Sequence, residues 1–440
     1  MLIKYALFLL PFVHMFRFQL FLGNEQIYIA VFILAISFIS ILLFMKYILI
    51  RQRTFPKGNV LYLFLILYMF LSFIYLKYKF MLISGLSLLI VYMAILILSE
   101  YLSFKRLFWN MYRYYSLGIV FLCLVMQVVV DLELLGMTFI DNRFGWVLYE
   151  DITVSDPNYF AVFIGLAMIY FYFIFSNRQE KNGGRFLHLI LFLASGYFLT
   201  ITLSRGVVFS LIITLVLVSI IKEWGKIKFV MASCMLPLVL TLGWILLHIF
   251  GSNNVENVNF STIQRFLLLN SSDRIAVWTS IFNGFRNSGL FTVLFGNGFQ
   301  SGSSIGAKFY LGVEPQSNGL IFKNPHNMFL QLLVEIGVLG MMILLTIALM
   351  YLWQTFKNMQ RNNYVPLALL LFFCSVNLSL NVMGFREQAL IFGILLLASI
   401  RTGGSANEMI SRERGKKDEV QLNNGDCWKK RRSEKLYSVS

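Results

Sequence analysis

Charge is scarce in this chain. Asp, Glu, Lys and Arg make up 13% of the 440 residues, about half the roughly 25% of a soluble domain. So little charge cannot cover the water-exposed surface of a chain this long, which excludes a soluble globular enzyme and a disordered chain. Cysteine is scarce too. Cys123, Cys234 and Cys374 fall in apolar runs and Cys427 lies near the C-terminus. No pair has metal-ligand spacing, and no disulfide framework is implied. Acidic residues are outnumbered, 21 against 37 Lys and Arg. In a soluble protein that excess would suggest nucleic acid. Here it reads as cations collected in cytoplasmic loops, with no nucleic-acid partner. The same cations could hold anionic lipid or phosphate.

Apolar residues are abundant: 58% of the chain is hydrophobic and 16% aromatic. The class left is an all-α polytopic membrane protein. About twelve runs have the 17–25 residues that cross a bilayer. They centre near Phe12, Ile36, Leu67, Leu89, Val125, Leu166, Phe192, Thr214, Val239, Ile343, Leu371 and Ile394. The first is interrupted by His14 and Arg17 and has no small-residue cleavage site behind it, so it reads as a retained span.

Loop charge sets orientation. Arg51, Arg53 and Lys57 fill the second loop, and Lys105, Arg106 and Arg113 the fourth. Arg178, Lys181 and Arg185 fill the sixth, Lys222, Lys226 and Lys228 the eighth, and Lys357 and Arg361 the tenth. All are even loops, which puts both termini in the cytoplasm and leaves Lys77 and Lys79 outside. Residues 1–400 then form the bundle. Residues 401–440, with ten Lys/Arg against six Asp/Glu, read as a flexible basic cytoplasmic tail.

One outer loop, residues 251–324, has no membrane-length run but is rich in aromatics. After Ser271-Ser272, the residues Arg274, Trp278, Ile281 and Phe285 recur at helical spacing and predict an amphipathic helix on the bundle's outer face. Gly296-Asn297-Gly298 reads as a tight turn. It is not a nucleotide loop, because no Lys-Ser/Thr follows.

Several polar groups gather at the outer boundary, where their cost makes them informative. Asn324-Pro325-His326-Asn327 opens the tenth span. Asn324 suits an N-cap and Pro325 the first helical position. His326 would then sit in the first turn, where the dipole disfavours imidazolium. A neutral His can act as a general base; it can equally be an interfacial side chain satisfied by a carbonyl. Glu335 lies about 13–14 Å further along the same helix on the opposite face. It therefore reads as a buried link between helices, beside the close-approach glycines Gly337 and Gly340. Thr200, Thr202, Ser204, Arg205 and Gly206 form a tight outer turn. The Arg205 fork suits phosphate, or it snorkels to headgroups. Arg265, Arg274 and Arg386 add outer cations, and Arg386 could pair with Glu387. Asp156-Pro157-Asn158 reads as a structural cap on the sixth span. No cluster has metal spacing.

These residues resemble the bacterial superfamily of O-antigen ligases and O-antigen/capsule polymerases. Pro325-His326-Asn327, followed by Leu330, Glu335, Gly337 and Gly340, is similar to its His-Asn signature. Arg274 and Trp278 with Gly296-Asn297-Gly298 resemble its large outer loop. Ser204-Arg205-Gly206 and Asp156-Pro157-Asn158-Tyr159 resemble further elements, so the likeness runs from Asp156 to Gly340. It implies a GT-C-like fold and metal-independent, inverting glycosyl transfer outside the bacterial cytoplasmic membrane. The implied donor is a glycan on undecaprenyl pyrophosphate, with no cofactor. His326 would be the base, with Arg205 and Arg274 holding the pyrophosphate. Asn327, Arg265, Arg386 and Trp278 would contact substrate, and a flippase and a chain-length regulator would be pathway partners. The ligase branch often carries a second His after the two glycines. Here that stretch is Met341-Met342-Ile343-Leu344, which favours a polymerase over a ligase. A transporter or a non-catalytic scaffold are the rivals outside the family. The absence of an internal repeat and the gathering of polar groups at the outer boundary speak against a transporter.

Overall fold

A computed structural model describes residues 57–76, 81–104, 107–132, 137–140, 143–148, 152–176, 182–224, 272–312, 325–384 and 386–402, with single positions at 8 and 42. In chain order these form α1 (Lys57–Leu71, continued by a 3-10 turn Ser72–Tyr75), α2 (Leu82–Phe104), α3 (Phe108–Asp131), β1 (Met137–Ile140), β2 (Arg143–Leu148), β3 (Ile152–Ser155), α4 (Pro157–Phe175), α5 (Asn182–Ile201) and α6 (Arg205–Trp224). The second part comprises α7 (Ser272–Arg286), α8 (Leu290–Phe295), α9 (Gly302–Gly306, followed by a π turn Ala307–Leu311), α10 (Met328–Met359), α11 (Val365–Ser379) and α12 (Arg386–Thr402). The predicted spans centred on Phe12, Ile36 and Val239, the cation Arg265 and the tail beyond Thr402 lie outside the described residues.

Among the described residues, α2, α3, α4, α5, α6 and α10 hold stretches long and apolar enough to cross a membrane. Shorter apolar helices cover Asn59–Tyr75, Val365–Ser379 and Gln388–Thr402. These nine coincide with nine of the twelve predicted runs, and the chain is a multi-pass helical membrane protein. Burial orders them. The apolar stretch of α4 is 78% buried and that of α5 only 17%. A helix that is hydrophobic all round belongs at the centre, and α4 is such a helix. Its neighbours reach its backbone: the Tyr112 hydroxyl donates to the Leu166 carbonyl at 2.8 Å, and Gly165 leaves room for the Phe372 ring. The exposed Phe186, Leu187, Leu193 and Tyr197 of α5 face outward, as lipid-facing side chains do.

The architecture is not wholly helical. The acidic loop ahead of α4 holds a three-stranded antiparallel sheet in the order β1-β2-β3. Met137 faces Leu148 across the first pair, and Leu148 faces Ile152 across the second. The runs MTFI, RFGWVL and ITVS are rich in β-branched and aromatic residues, a signal that the membrane-length runs around them outweighed. From β2, Phe144 packs between Phe160 and Phe198, with ring centroids at 5.9 and 5.1 Å. The sheet thereby caps α4 and α5.

The far end of the bundle is closed by a buried ion pair. Arg401 Nε lies 3.2 Å from Glu100 Oε1, and Asn59 Nδ2 donates to the same oxygen at 2.7 Å. Arg401 also donates to Ser99 and Asn59. Arg401 therefore ends α12 and does not begin the tail. Its partners come from α1 and α2, about three hundred residues earlier, so no local pattern marked it.

At the opposite end, α7, α8 and α9 pack on the start of α10. The amphipathic helix predicted from Arg274, Trp278, Ile281 and Phe285 is α7. Val277, Ile281, Phe285, Ile305 and Val334 form a hydrophobic cluster of their own, apart from the main bundle core. The first part of α10 serves both, with Val334 in this cluster and Met328, Leu332 and Ile336 in the main core, and α10 is broken after it: Gly337 has φ 67° and ψ −174° inside the helix. Residues 328–336 thus form a half-helix between α7–α9 on one side and the bundle core on the other.

Candidate functional site

The turn between α5 and α6 is built to hold Arg205 still. Thr202 and Ser204 are buried. The Thr202 hydroxyl donates to the Leu199 carbonyl at 2.7 Å and accepts from the Ser204 N–H at 3.2 Å. Leu203 is left-handed at φ 53°. Arg205 then opens α6. Behind it, a Cβ on Gly206 would lie 2.4 Å from Ser379 Oγ, so glycine lets the end of α11 come in close.

Ser379 also receives the second arginine. Arg274 donates through one terminal nitrogen to the Ser379 carbonyl at 3.1 Å. The Arg205 segment and Arg274 therefore meet on one residue. The Arg274 side chain keeps an exposed edge, yet burial of its guanidinium, first, and the charge of Arg205, second, push its pKa below the usual arginine value. Tyr159, at the start of α4, acts on Arg274 in the opposite direction. Two guanidinium groups held in electrostatic reach of each other favour an anion between them. The starts of α4 and α6 lie beside them, with their positive dipole ends.

One turn along α7 from Arg274, the Trp278 indole N–H donates to the Pro325 carbonyl at 2.6 Å. This bond ties α7 to the residue before His326. His326 itself is left-handed, with φ 51°, a conformation that costs an L-residue about 1–2 kcal/mol and that gathers at functional sites.

The helix start differs from the expected one. Asn327, not Asn324, is the N-cap of α10: its φ is −146°, and its Oδ1 accepts from the Leu330 N–H at 3.0 Å. His326 therefore stands before the cap and outside the first turn, and the Asn327 side-chain oxygen serves the helix. Pro325 misled the placement because proline is common at a first helical position. Here it precedes the left-handed residue.

The other predicted residues fall in two groups. Asp156 is the N-cap of α4, accepting from the N–H groups of Asn158 and Tyr159 at 2.8 and 3.4 Å. Through Tyr159 it lies near the arginine pair. Arg386 Nε donates to Ser87 Oγ at 2.6 Å and a terminal nitrogen reaches Ser84 Oγ at 3.4 Å, which anchors it to α2; the Glu387 side chain lies outside the described residues. Glu335 is buried within the half-helix, where its Oε1 accepts from Gly302 N–H at 3.0 Å and Gln331 Nε2 at 2.8 Å. Gly340 is buried against Ile336. Ser379, Gln331 and Asn381 were missed. The available signal was polar side chains recurring at Asn377, Ser379 and Asn381 near the end of an apolar run. Among the described residues no three His, Cys, Asp or Glu side chains gather into a potential metal site.

Residues 189–345 match the family model described as O-antigen ligase. The match supports the O-antigen ligase and polymerase superfamily. It covers a little over a third of the chain and includes Arg205, Arg274, His326, Glu335, Gly337 and Gly340. No curated protein matches the chain. The O-antigen ligase match and the apolar helices together support a multi-pass membrane protein of polysaccharide ligase or polymerase type, with glycosyl transfer as its general chemistry.

Proposed function

We propose that this protein is a polymerase that joins lipid-linked oligosaccharide repeat units into a surface polysaccharide such as O-antigen, capsule or exopolysaccharide. It would work on the outer face of a bacterial cytoplasmic membrane, with both termini inside. The donor is a glycan on undecaprenyl pyrophosphate. The observation that carries this reading is the meeting of Arg274 and the Arg205 segment on Ser379, one helical turn from the bond that fixes the residue before His326.

The chemistry follows from those positions. His326 takes the proton of an acceptor sugar hydroxyl, a general-base role. The hydroxyl oxygen forms a bond to the anomeric carbon while the bond from that carbon to the pyrophosphate oxygen breaks. The negative charge that develops on the leaving pyrophosphate is stabilised by Arg205 and Arg274, which are already in place and need no reorganisation. Attack from the side opposite the leaving group inverts the anomeric centre. Trp278 and Arg386 are substrate-side residues in this scheme, and a flippase and a chain-length regulator are its pathway partners.

The second reading is a ligase that moves a finished glycan to a separate acceptor. The description of the matching family favours it, whereas the run Met341-Met342-Ile343-Leu344, with no histidine, favours the polymerase. Purified protein supplied only with lipid-linked repeat unit separates the two. A ladder of products of increasing length is expected. Transfer that occurs only after a second acceptor is added would replace the polymerase with the ligase.

A further inference from the structure

The half-helix that follows His326 is cut off from the body of α10 at Gly337. Something other than α10 must therefore set its position against Ser379, where Arg274 is anchored. A buried chain of side-chain hydrogen bonds runs between the two places. Asn381, two residues beyond Ser379, donates through Nδ2 to Gln331 Oε1 at 2.6 Å. Gln331 donates through Nε2 to Glu335 Oε1 at 2.8 Å. Gly302 N–H closes the chain on that same oxygen at 3.0 Å. The three side chains are 4%, 5% and 1% exposed, so bulk water does not reach them.

The direction of the chain is fixed at both ends. Asn381 Oδ1 is taken by the Gly384 N–H at 3.0 Å, so its amide nitrogen must face Gln331. The Gln331 oxygen must then face Asn381, and its nitrogen must face Glu335. Glu335 can only accept there, because the Gly302 N–H also needs that oxygen. Gln331 in turn donates its backbone N–H to the Asn327 carbonyl at 3.0 Å, the first bond of the helix that follows His326. A cavity of ≈ 10 Å³ lies beside Gln331, Glu335 and Asn381, space for about one water molecule, so the chain is closely confined.

We propose that Asn381, Gln331 and Glu335 are positioning residues: a hydrogen-bond chain of fixed direction that sets the His326 helix start against the carbonyl anchoring Arg274. This rests on the glycosyl-transfer reading above. A misplacement of about 1 Å can cost on the order of a hundredfold in rate, so the chain acts on turnover more than on substrate affinity.

Reversing the chain tests it. Asn381→Asp removes the donor, turns the Gln331 amide round and leaves its oxygen facing the Glu335 carboxylate. Gln331→Glu, made separately, sets two carboxylates against each other. Glu335→Gln is a third break and not a rescue, because a nitrogen turned toward residue 331 would also face the Gly302 N–H. In a glycan-transfer assay on monodisperse protein of wild-type melting temperature, each single variant is expected to lose about 10–100-fold in kcat with KM for the lipid-linked donor changed less than about threefold. Should one single variant fail to fold, the others carry the test. Wild-type kcat in a folded single variant, or a loss that appears in KM with kcat unchanged, overturns the proposal. Wild-type protein that gives no product at all removes the glycosyl-transfer reading, and the positioning role with it.

Discussion

Gly296 and Gly337 cross with their backbones in contact. A Cβ on Gly296 would lie 2.2 Å from the Glu335 carbonyl oxygen, and one on Gly337 would lie 2.4 Å from the Leu294 carbonyl oxygen. Both have positive φ, 86° and 67°, with ψ of −169° and −174°. The carbonyls released where α10 breaks are taken up by the crossing turn and by α1. Asn297 and Gly298 donate their N–H groups to Val334 and Glu335 at 2.9 and 3.0 Å, and the Tyr68 hydroxyl donates to Ile336 at 3.0 Å. The tight turn Gly296-Asn297-Gly298 is therefore a plug for a broken helix.

Gly296→Ala and Gly337→Ala each push a methyl group into backbone that cannot move aside. Each is expected to destabilise by about 2–4 kcal/mol, from strain at positive φ together with overpacking. Thermal unfolding of the purified variants measures this. Gly312→Ala is the comparison: at φ 67° and ψ 14° it lies in the milder αL well, with nothing within 4 Å of its added Cβ, and it should lose less.

Trp278→Phe keeps the ring and removes the N–H that holds the Pro325 carbonyl. Losing one such bond costs about 1 kcal/mol of stability, while freeing the residue before His326 should lower turnover by about tenfold or more. A kcat unchanged in Trp278→Phe would show that this bond does not hold the histidine in place.

Arg274→Lys retains the positive charge but loses the fork that can grip the Ser379 carbonyl and an anion together. Turnover is expected to fall by about 10–100-fold, with Arg205→Lys showing a loss of the same order. Because the arginines, and no metal ion, carry the leaving-group charge in this scheme, excess EDTA should leave the wild-type rate unchanged.

Arg401→Met leaves the Glu100 carboxylate buried without its charge partner. Breaking one side of a buried pair costs about 3–5 kcal/mol. The variant should melt earlier, yet its activity per folded molecule should match wild type, because the pair closes the end of the bundle away from His326.

Much of this was legible in the sequence because membrane-length apolar runs and N-cap chemistry are local. The nine described apolar helices, the amphipathic α7 and the Asp156 cap follow from such patterns. The tight turn before Arg205 was legible too, from small polar residues between two apolar runs. What was not legible depends on residues far apart in the chain. Arg401 finds Glu100, Arg274 finds Ser379, and Gly296 finds Gly337 only after folding. The three strands were hidden in a loop whose acidic charge drew attention to its sidedness. The misplaced cap shows how local statistics fail: Asn324-Pro325 and Asn327 both suit a helix start, and only the left-handed turn at His326 selects the second.

The most direct measurement is single-turnover glycan transfer from a lipid-linked repeat unit by His326→Ala and His326→Gln, each checked for wild-type expression and melting temperature. If His326 is the base, both variants should lose on the order of a hundredfold or more in the transfer step while still binding the donor through Arg205 and Arg274. Transfer at the wild-type rate in either variant would contradict the role given to His326 and, with it, the central claim that this end of the bundle performs the chemistry.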